Sequence, residues 1–353
     1  AGEGEKAVEY LLKAGDQARL TYACQEASGY YQRALPLLEQ QGKQDQAART
    51  LMKMGLTFDL AFDFQGARQA YEQGFARWQQ TAEMQEDDLP PAPHPLRLPA
   101  GEPMTLDPTM ADNVASSAKI HQLFSGLVEL RPDVGVVPDV AQSWEVLQDG
   151  KKYLFHLRDD VRWSDGKPVT AGDFEYAWKR VLGNHTTLTI PRLLYDIKDA
   201  RAFHQGEDAN PASVGVKALD DVTLAVEMES PTGYFLHLLA NAVTFPVPRH
   251  VVELHGKAWA GKENIATCGP FRLESWQPGE RMILTRNQDY HGRFTGNLER
   301  VELLLGDLGP SSGLEMLERY AGGLLDVLDV TAFDVGRIRQ RHAGEYRKVP
   351  RLI

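Results

Sequence analysis

The sequence predicts a multidomain chain, an all-α helical repeat over residues 1–80 followed by an α/β lobe with a mixed sheet over residues 100–353. Three observations predict this. Residues 11–35 and 51–75 run in parallel at an offset of 40 residues. A cluster of prolines, Pro90, Pro91, Pro93 and Pro95, comes after them. Beyond the prolines, short strand-like runs bounded by turn residues mix with helical periodicity, the pattern of α/β or α+β domains. At 353 residues the chain is long enough for two to three domains, each with its own core.

The helical part comes first. At the 40-residue offset Leu11 meets Leu51, Lys13 meets Lys53, Gly15 meets Gly55, Ala27 meets Ala67 and Tyr31 meets Tyr71. Large and small residues alternate, which lets antiparallel helices approach closely, and the pattern resembles the tetratricopeptide repeat. Gly15 and Gly55 are expected to admit a partner helix, and Tyr31 and Tyr71 to fill the space between neighbouring hairpins. The offset exceeds the usual ~34 residues of that repeat. Either the helices are longer or a loop such as Glu39–Asp45 is. An unrelated helical bundle with the same apolar stripe is the alternative. Because roughly three repeats are needed to bury a core, further repeats are expected upstream, or the pair docks on the downstream part of the chain. Residues 81–99 then read as an extended, proline-rich linker, since Pro forbids a continuing helix.

In the lobe, Leu96–Leu98 is short and apolar, and Thr105–Pro108 turns. Residues 111–127 read as a helix ending at Ser125-Gly126-Leu127. Gln142–Leu147 and Tyr153–Leu157 read as strands joined at Asp149-Gly150, a strong hairpin signal. Ser164–Lys167 is a second turn. Thr170 and Asp173 frame a helix start, and Phe174, Ala177, Trp178 and Val181 give the helix Ala171–Leu182 one buried face. Trp144, Trp163, Trp178 and Trp276 read as core.

Composition narrows the function. Apolar residues make up 42% and charged residues 25%, ordinary for a soluble globular protein. A net charge of -11 excludes non-specific nucleic-acid binding through a basic surface. No run approaches the ~18 consecutive apolar residues of a membrane span. The sequence opens without Met or a basic-then-apolar leader, so a signal removed on export or a start inside a longer protein is expected. Cys24 and Cys268 fall in different domains, which argues against a disulfide framework.

Chemical motifs are incomplete, and no cofactor and no enzymatic activity are expected. Gly256–Glu263 matches a phosphate-binding loop for seven positions, but Glu263 stands where a Ser or Thr hydroxyl would hold Mg²⁺. It also comes after a helix-like stretch, His250–His255, rather than a strand. His250 and His255 are five apart and share a helix face poorly, which disfavours a zinc site. Asn184-His185-Thr186 fits a glycosylation sequon and reads as a loop.

The segment VVPDVAQSWEVLQDGKKYLFHLRDDVRWSDGKPVTAGDFEYAWKRVL, residues 136–182, resembles the signature stretch of family 5 extracellular solute-binding proteins, the oligopeptide- and dipeptide-binding receptors of ABC importers. Three further collinear blocks carry the likeness: residues 214–239, 245–259 and 267–292. It fades after Glu299–Leu305. Two positions depart from the pattern. His291 comes after Tyr290 where the family has Trp, and Cys268 precedes Gly-Pro-Phe where the family has Asn or Thr; both are expected to alter packing near the lobe connection.

The resemblance implies a type II periplasmic-binding-protein-like lobe, with about 135–260 as a smaller inserted subdomain and the second large lobe absent from this sequence. Weak peptide binding by residues 1–353 alone is therefore expected. By resemblance only, Ser125, Gly126 and Leu127 face the ligand cleft, and Tyr195 reaches the ligand from the smaller subdomain. A Gly-containing loop can pair its main chain with an extended peptide of any sequence, and a Tyr adds apolar area with a polar tip. Tyr195 packing against the helix of Phe203 is the alternative. The implied partners are a peptide or small solute and an ABC permease, in an extracytoplasmic setting. The alternative function is a sensory or scaffolding protein, cytoplasmic in that case, whose repeats recruit a protein partner and which keeps the lobe as a binding module.

Overall fold

The computed structural model describes residues 3–82, 92, 94–131, 135–183, 191–292, 296–306, 313–329 and 344. Pro90, Pro91 and Pro93 of the expected linker, the Asn184–Thr186 sequon and the segment Tyr346–Ile353 lie outside them.

The amino-terminal region is two antiparallel helical hairpins. Helices α1 (Glu3–Leu20), α2 (Cys24–Gln40), α3 (Gln44–Leu60) and α4 (Phe64–Ala82) are joined by three-residue turns. Each turn has one residue in the left-handed region, Tyr22 at φ 58°, Gly42 at 70° and Phe62 at 59°. The 40-residue offset therefore comes from long helices. Glu39 and Gln40 are still helical, and the expected long loop at 39–45 is only Gln41–Lys43.

The glycine–tyrosine pairs act within each hairpin. A Cβ on Gly15 would lie 2.5 Å from the Tyr31 ring, and one on Gly55 would lie 2.4 Å from the Tyr71 ring. Each tyrosine thus lies on the glycine of its own hairpin, where the sequence suggested a role only between hairpins. Tyr31 also packs with Leu51 and Met54 of the second hairpin. Among the described residues, Tyr71 has no third hairpin against it. It meets Trp144 of the lobe, ring centroids 5.0 Å apart, and Phe75 meets the same indole at 4.7 Å.

Among the described residues, the lobe has two four-stranded sheets. In the first, β1 (Leu96–Ala100) pairs in parallel with β10 (Arg300–Leu305), which runs antiparallel to β9 (Arg281–Arg286), itself antiparallel to β8 (Phe271–Gln277). The sheet is mixed, and it already includes Leu96. The second sheet is antiparallel throughout, in the order β4 (Ala141–Leu147), β5 (Lys152–Leu157), β7 (Thr223–Glu227), β6 (Val216–Ala218). A small ladder, β2 (Val128–Arg131) with β3 (Gly135–Pro138), lies between them in sequence.

Helix α6 (Ala171–Leu182) begins and ends where the sequence placed it. The Asp173 carboxylate accepts from the Thr170 amide at 2.9 Å, closing the first turn. Helix α5 (Val114–Leu123) is shorter at both ends than the expected 111–127. The Asn113 side chain caps it by accepting from the Ser116 amide at 2.9 Å. At its other end the Leu123 carbonyl accepts the amides of Cys268 and Gly269, at 3.1 and 2.8 Å. A carbonyl claimed by another segment stops the helix, and Phe124 is already extended.

The arm docks on the lobe at matched points. In the β4–β5 turn, Gly150 has φ 83°, and a Cβ there would lie 2.2 Å from the Phe64 ring. A Cβ on Gly233 would lie 2.2 Å from the Asp59 carbonyl oxygen. Met52, Leu56, Ala67, Tyr71 and Phe75 belong to the same apolar cluster as Trp144, Tyr153 and Phe155. Trp144, Trp163 and Trp178 are buried, whereas Trp276 is half-buried and donates to Glu102 at 3.0 Å.

Two outcomes test this packing. Gly55→Ala is expected to destabilise the protein by about 1–3 kcal/mol, because the added methyl must displace the Tyr71 ring. Gly29→Ala in α2 has nothing within 4 Å of the new methyl, so it is expected to stabilise by up to ~1 kcal/mol. Denaturant midpoints of the two variants should move in opposite directions.

The second outcome concerns Asp59, whose carboxyl is pushed up to about 7 by burial, opposed by the hydrogen bond from Tyr71. The folded state then holds a proton that the unfolded chain releases near pH 4. Stability should fall as pH rises from about 4 to 7, by on the order of 3 kcal/mol, and then level. Asp59→Asn should lose that part of the pH dependence. Equal slopes in variant and parent across this range would contradict the assignment.

Candidate functional site

The turn before α5 positions the lobe's inner layers. Asp107 is buried, and its carboxylate accepts five bonds: the Thr109 amide at 3.0 Å, the Thr109 hydroxyl at 2.7 Å, Arg180 of α6 at 3.0 and 2.7 Å, and the Trp259 indole at 3.0 Å. The sequence reading missed both Asp107 and Trp259. The available signal was an Asp-Pro turn with a Thr two residues on, a pattern in which the acid bonds its own backbone.

The segment after α5 runs through Ser125, Gly126 and Leu127, all buried. The Phe245 ring lies against Gly126, where a Cβ would approach it to 2.5 Å. Half of the main-chain groups are used internally. The Gly126 carbonyl accepts from the Val140 amide at 3.0 Å. The Leu127 carbonyl accepts from Asp139 at 3.2 Å and Ala141 at 3.0 Å. The Ser125 amide faces the Cys268 thiol, and the Ser125 side chain faces the Tyr290 hydroxyl. Burial pushes the titration of both the thiol and the phenol upward. Among the described residues, the Ser125 carbonyl and the amides of Gly126 and Leu127 have no partner.

Tyr195 lies apart from this segment in its contacts. It comes after a short 3₁₀ turn, Pro191–Leu194, and packs on α7 (Ala200–Gln205). Its ring lies 5.8 Å from that of His204, and the Arg201 guanidinium sits 5.3 Å from its centroid. Both partners lie on the helix that carries Phe203. The structure brings Ser125, Gly126 and Leu127 together by chain continuity and does not join Tyr195 to them through any of these contacts.

The segment resembling a phosphate loop lies in a different context. Gly256 comes after α9 (Arg249–His255) and opens a 3₁₀ turn, with no strand leading into it. His250 is held by Asp165 at 2.6 Å. Among the described residues, no group of three or more His, Cys, Asp or Glu is placed to hold a metal, and no helix is long and apolar enough to cross a membrane.

Comparison with known proteins bears on the family and the fold. Residues 135–337 match the family described as bacterial extracellular solute-binding proteins, family 5 Middle. The chain is 36% identical over 253 residues to the probable deoxycholate-binding periplasmic protein YgiS of Escherichia coli, covering 71% of this chain and 46% of that protein. It is 35% identical over 233 residues to the periplasmic oligopeptide-binding protein OppA of Escherichia coli, covering 66% of this chain and 42% of that one. The chain thus spans under half the length of these relatives. Among solved structures, Haemophilus influenzae OppA in complex with RPPGFSPFR superposes with a TM-score of 0.64 at 30% identity, covering 74% of this chain and 50% of that one. With well over half of its length matched by the family, the chain belongs to the family 5 bacterial extracellular solute-binding proteins.

Proposed function

We propose that this protein is a non-enzymatic receptor that binds peptides through the main chain of Ser125–Leu127, with Tyr195 as a side-chain contact from the smaller subdomain. The observation that carries the reading is the set of unpaired main-chain groups, the Ser125 carbonyl and the amides of Gly126 and Leu127. Buried backbone groups are almost always paired, and leaving one unpaired costs about 1–3 kcal/mol. An extended peptide that reaches the segment can offer partners to these groups through its own main chain whatever its side chains. The relatives named for oligopeptide binding support the same chemistry.

The proposal extends to the wider setting. The receptor works outside the cytoplasm with an ABC permease, and its units are a tetratricopeptide-like arm ending with α4 at Ala82, a linker shorter than the expected 81–99, and the lobe, which starts with β1 at Leu96 and has 135–260 as the smaller subdomain. No observation favours the arm as a recruiter of protein partners. Helix α3 is buried along most of its length, and its Met52 and Leu56 are packed in the core that it shares with the lobe.

The size of the effect is set by the groups available. Three main-chain hydrogen bonds are worth roughly 0.5–1.5 kcal/mol each, so this edge alone gives a Kd of about 1 mM or weaker. Tripeptides titrated into the protein should shift the amide resonances of Gly126 and Leu127 in the millimolar range. Peptides with the same side chains but N-methylated backbones should not. Leu127→Pro, which removes one donor, should weaken the response, whereas changing the peptide's side chains should alter it little. Equal binding of N-methylated and plain peptides would defeat the main-chain reading.

A further inference from the structure

The candidate edge takes its position from residues 139–141, whose three amides hold the Gly126 and Leu127 carbonyls. On the other side, the Arg158 amide donates to the Val140 carbonyl at 2.9 Å. Residue 139 is fixed by its side chain. His291 Nε2 lies 2.7 Å from Asp139 Oδ1, with the two side chains 3% and 12% exposed. His291 sits in the loop after β9 of the first sheet, and Asp139 lies just before β4 of the second. Their bond ties the two sheets together behind Ser125–Leu127. The Tyr290 ring packs 4.6 Å from the imidazole, and Asp160, held by Arg158 at 2.9 and 2.6 Å, lies nearby.

We propose that His291 is a positioning residue for the peptide edge: its bond to Asp139 pins residues 139–141, which hold the Gly126 and Leu127 carbonyls and so place the segment that meets a peptide. This rests on the reading of Ser125–Leu127 as the peptide site. The physical cause is the cost of a largely enclosed carboxylate that loses its partner. Without His291, Asp139 turns toward water and carries its own amide and those of Val140 and Ala141 away from the edge. His291 never touches the ligand; it acts through two shells of hydrogen bonds.

Amide hydrogen exchange tests this without any peptide. In His291→Phe, the Val140 and Ala141 amides should exchange about tenfold faster or more, while the Phe155 amide in β5 stays near its parent rate. His291→Gln, which keeps a donor near the Nε2 position, should restore most of the protection. Asp139→Leu should resemble His291→Phe, and the double variant should add nothing further. Unchanged exchange at 140 and 141, or acceleration shared equally by Phe155, would overturn the proposal. Tripeptide titration supplies the second readout, in which His291→Phe should weaken the Gly126 and Leu127 shifts and His291→Gln should preserve them. Parent-like peptide response in His291→Phe would also overturn it. If the parent itself shows no peptide response, the site reading fails alone, and the exchange rates still decide whether His291 pins the segment.

Discussion

Two helical hairpins cannot cover both of their own faces, and the fold depends on how the uncovered one is closed. The first tyrosine of the repeat, Tyr31, is sealed by Leu51 and Met54 of the next hairpin. The second, Tyr71, has Trp144 of the lobe against it. That indole is itself backed by Phe155 of the second sheet, 6.4 Å away. The lobe therefore completes the arm. Gly150 and Gly233 are the marks of that completion on the lobe, because each leaves room that a single methyl would fill.

The two tyrosines correspond in the repeat, yet they meet carboxylates from different positions and with different chemistry. Tyr31 and Tyr71 each donate to a carboxylate at 2.7 Å, Asp16 and Asp59 respectively. Asp16 is partly exposed and also takes Lys53 at 2.9 Å on both oxygens. Asp59 sits beneath the lobe, fully buried, and one of its oxygens has no partner among the described residues. A carboxylate enclosed by Tyr71 and near Tyr153, with no cation to offset burial, holds its proton to about pH 7. Sequence periodicity equates the two tyrosines, but what covers each of them sets its electrostatics.

Much of this fold was legible where the deciding interaction is local. Helix α6 was bounded correctly because Thr170 and Asp173 close its first turn within four residues. The β4–β5 hairpin was readable from Asp149-Gly150, although the second reason for that glycine, Phe64 of the arm, is 86 positions away and was invisible. Helix α5 was drawn too long because its end is set by Cys268 and Gly269, far along the chain. The left-handed turns at Tyr22 and Phe62 had no local sign, since aromatic residues seldom adopt that conformation. Only their 20-residue spacing on either side of Gly42 marks them in retrospect.

The candidate site was legible in a different sense. A receptor that pairs with peptide main chain uses its own main chain to do so, and main-chain groups leave no residue signature. Ser125, Gly126 and Leu127 were therefore reachable only through resemblance, and composition or spacing alone would not have selected them. Side chains do appear one layer back, where the segment is held. There the Cys268 thiol faces the Ser125 amide and Tyr290 faces its side chain, while His291 grips Asp139. Cys268 and His291 are the two positions at which the sequence departs from the pattern it otherwise resembles, and both fall in this supporting layer. Sequence-tolerant binding leaves the contacting residues little to specify, so variation between such receptors is expected to collect in the layer that holds the edge in place.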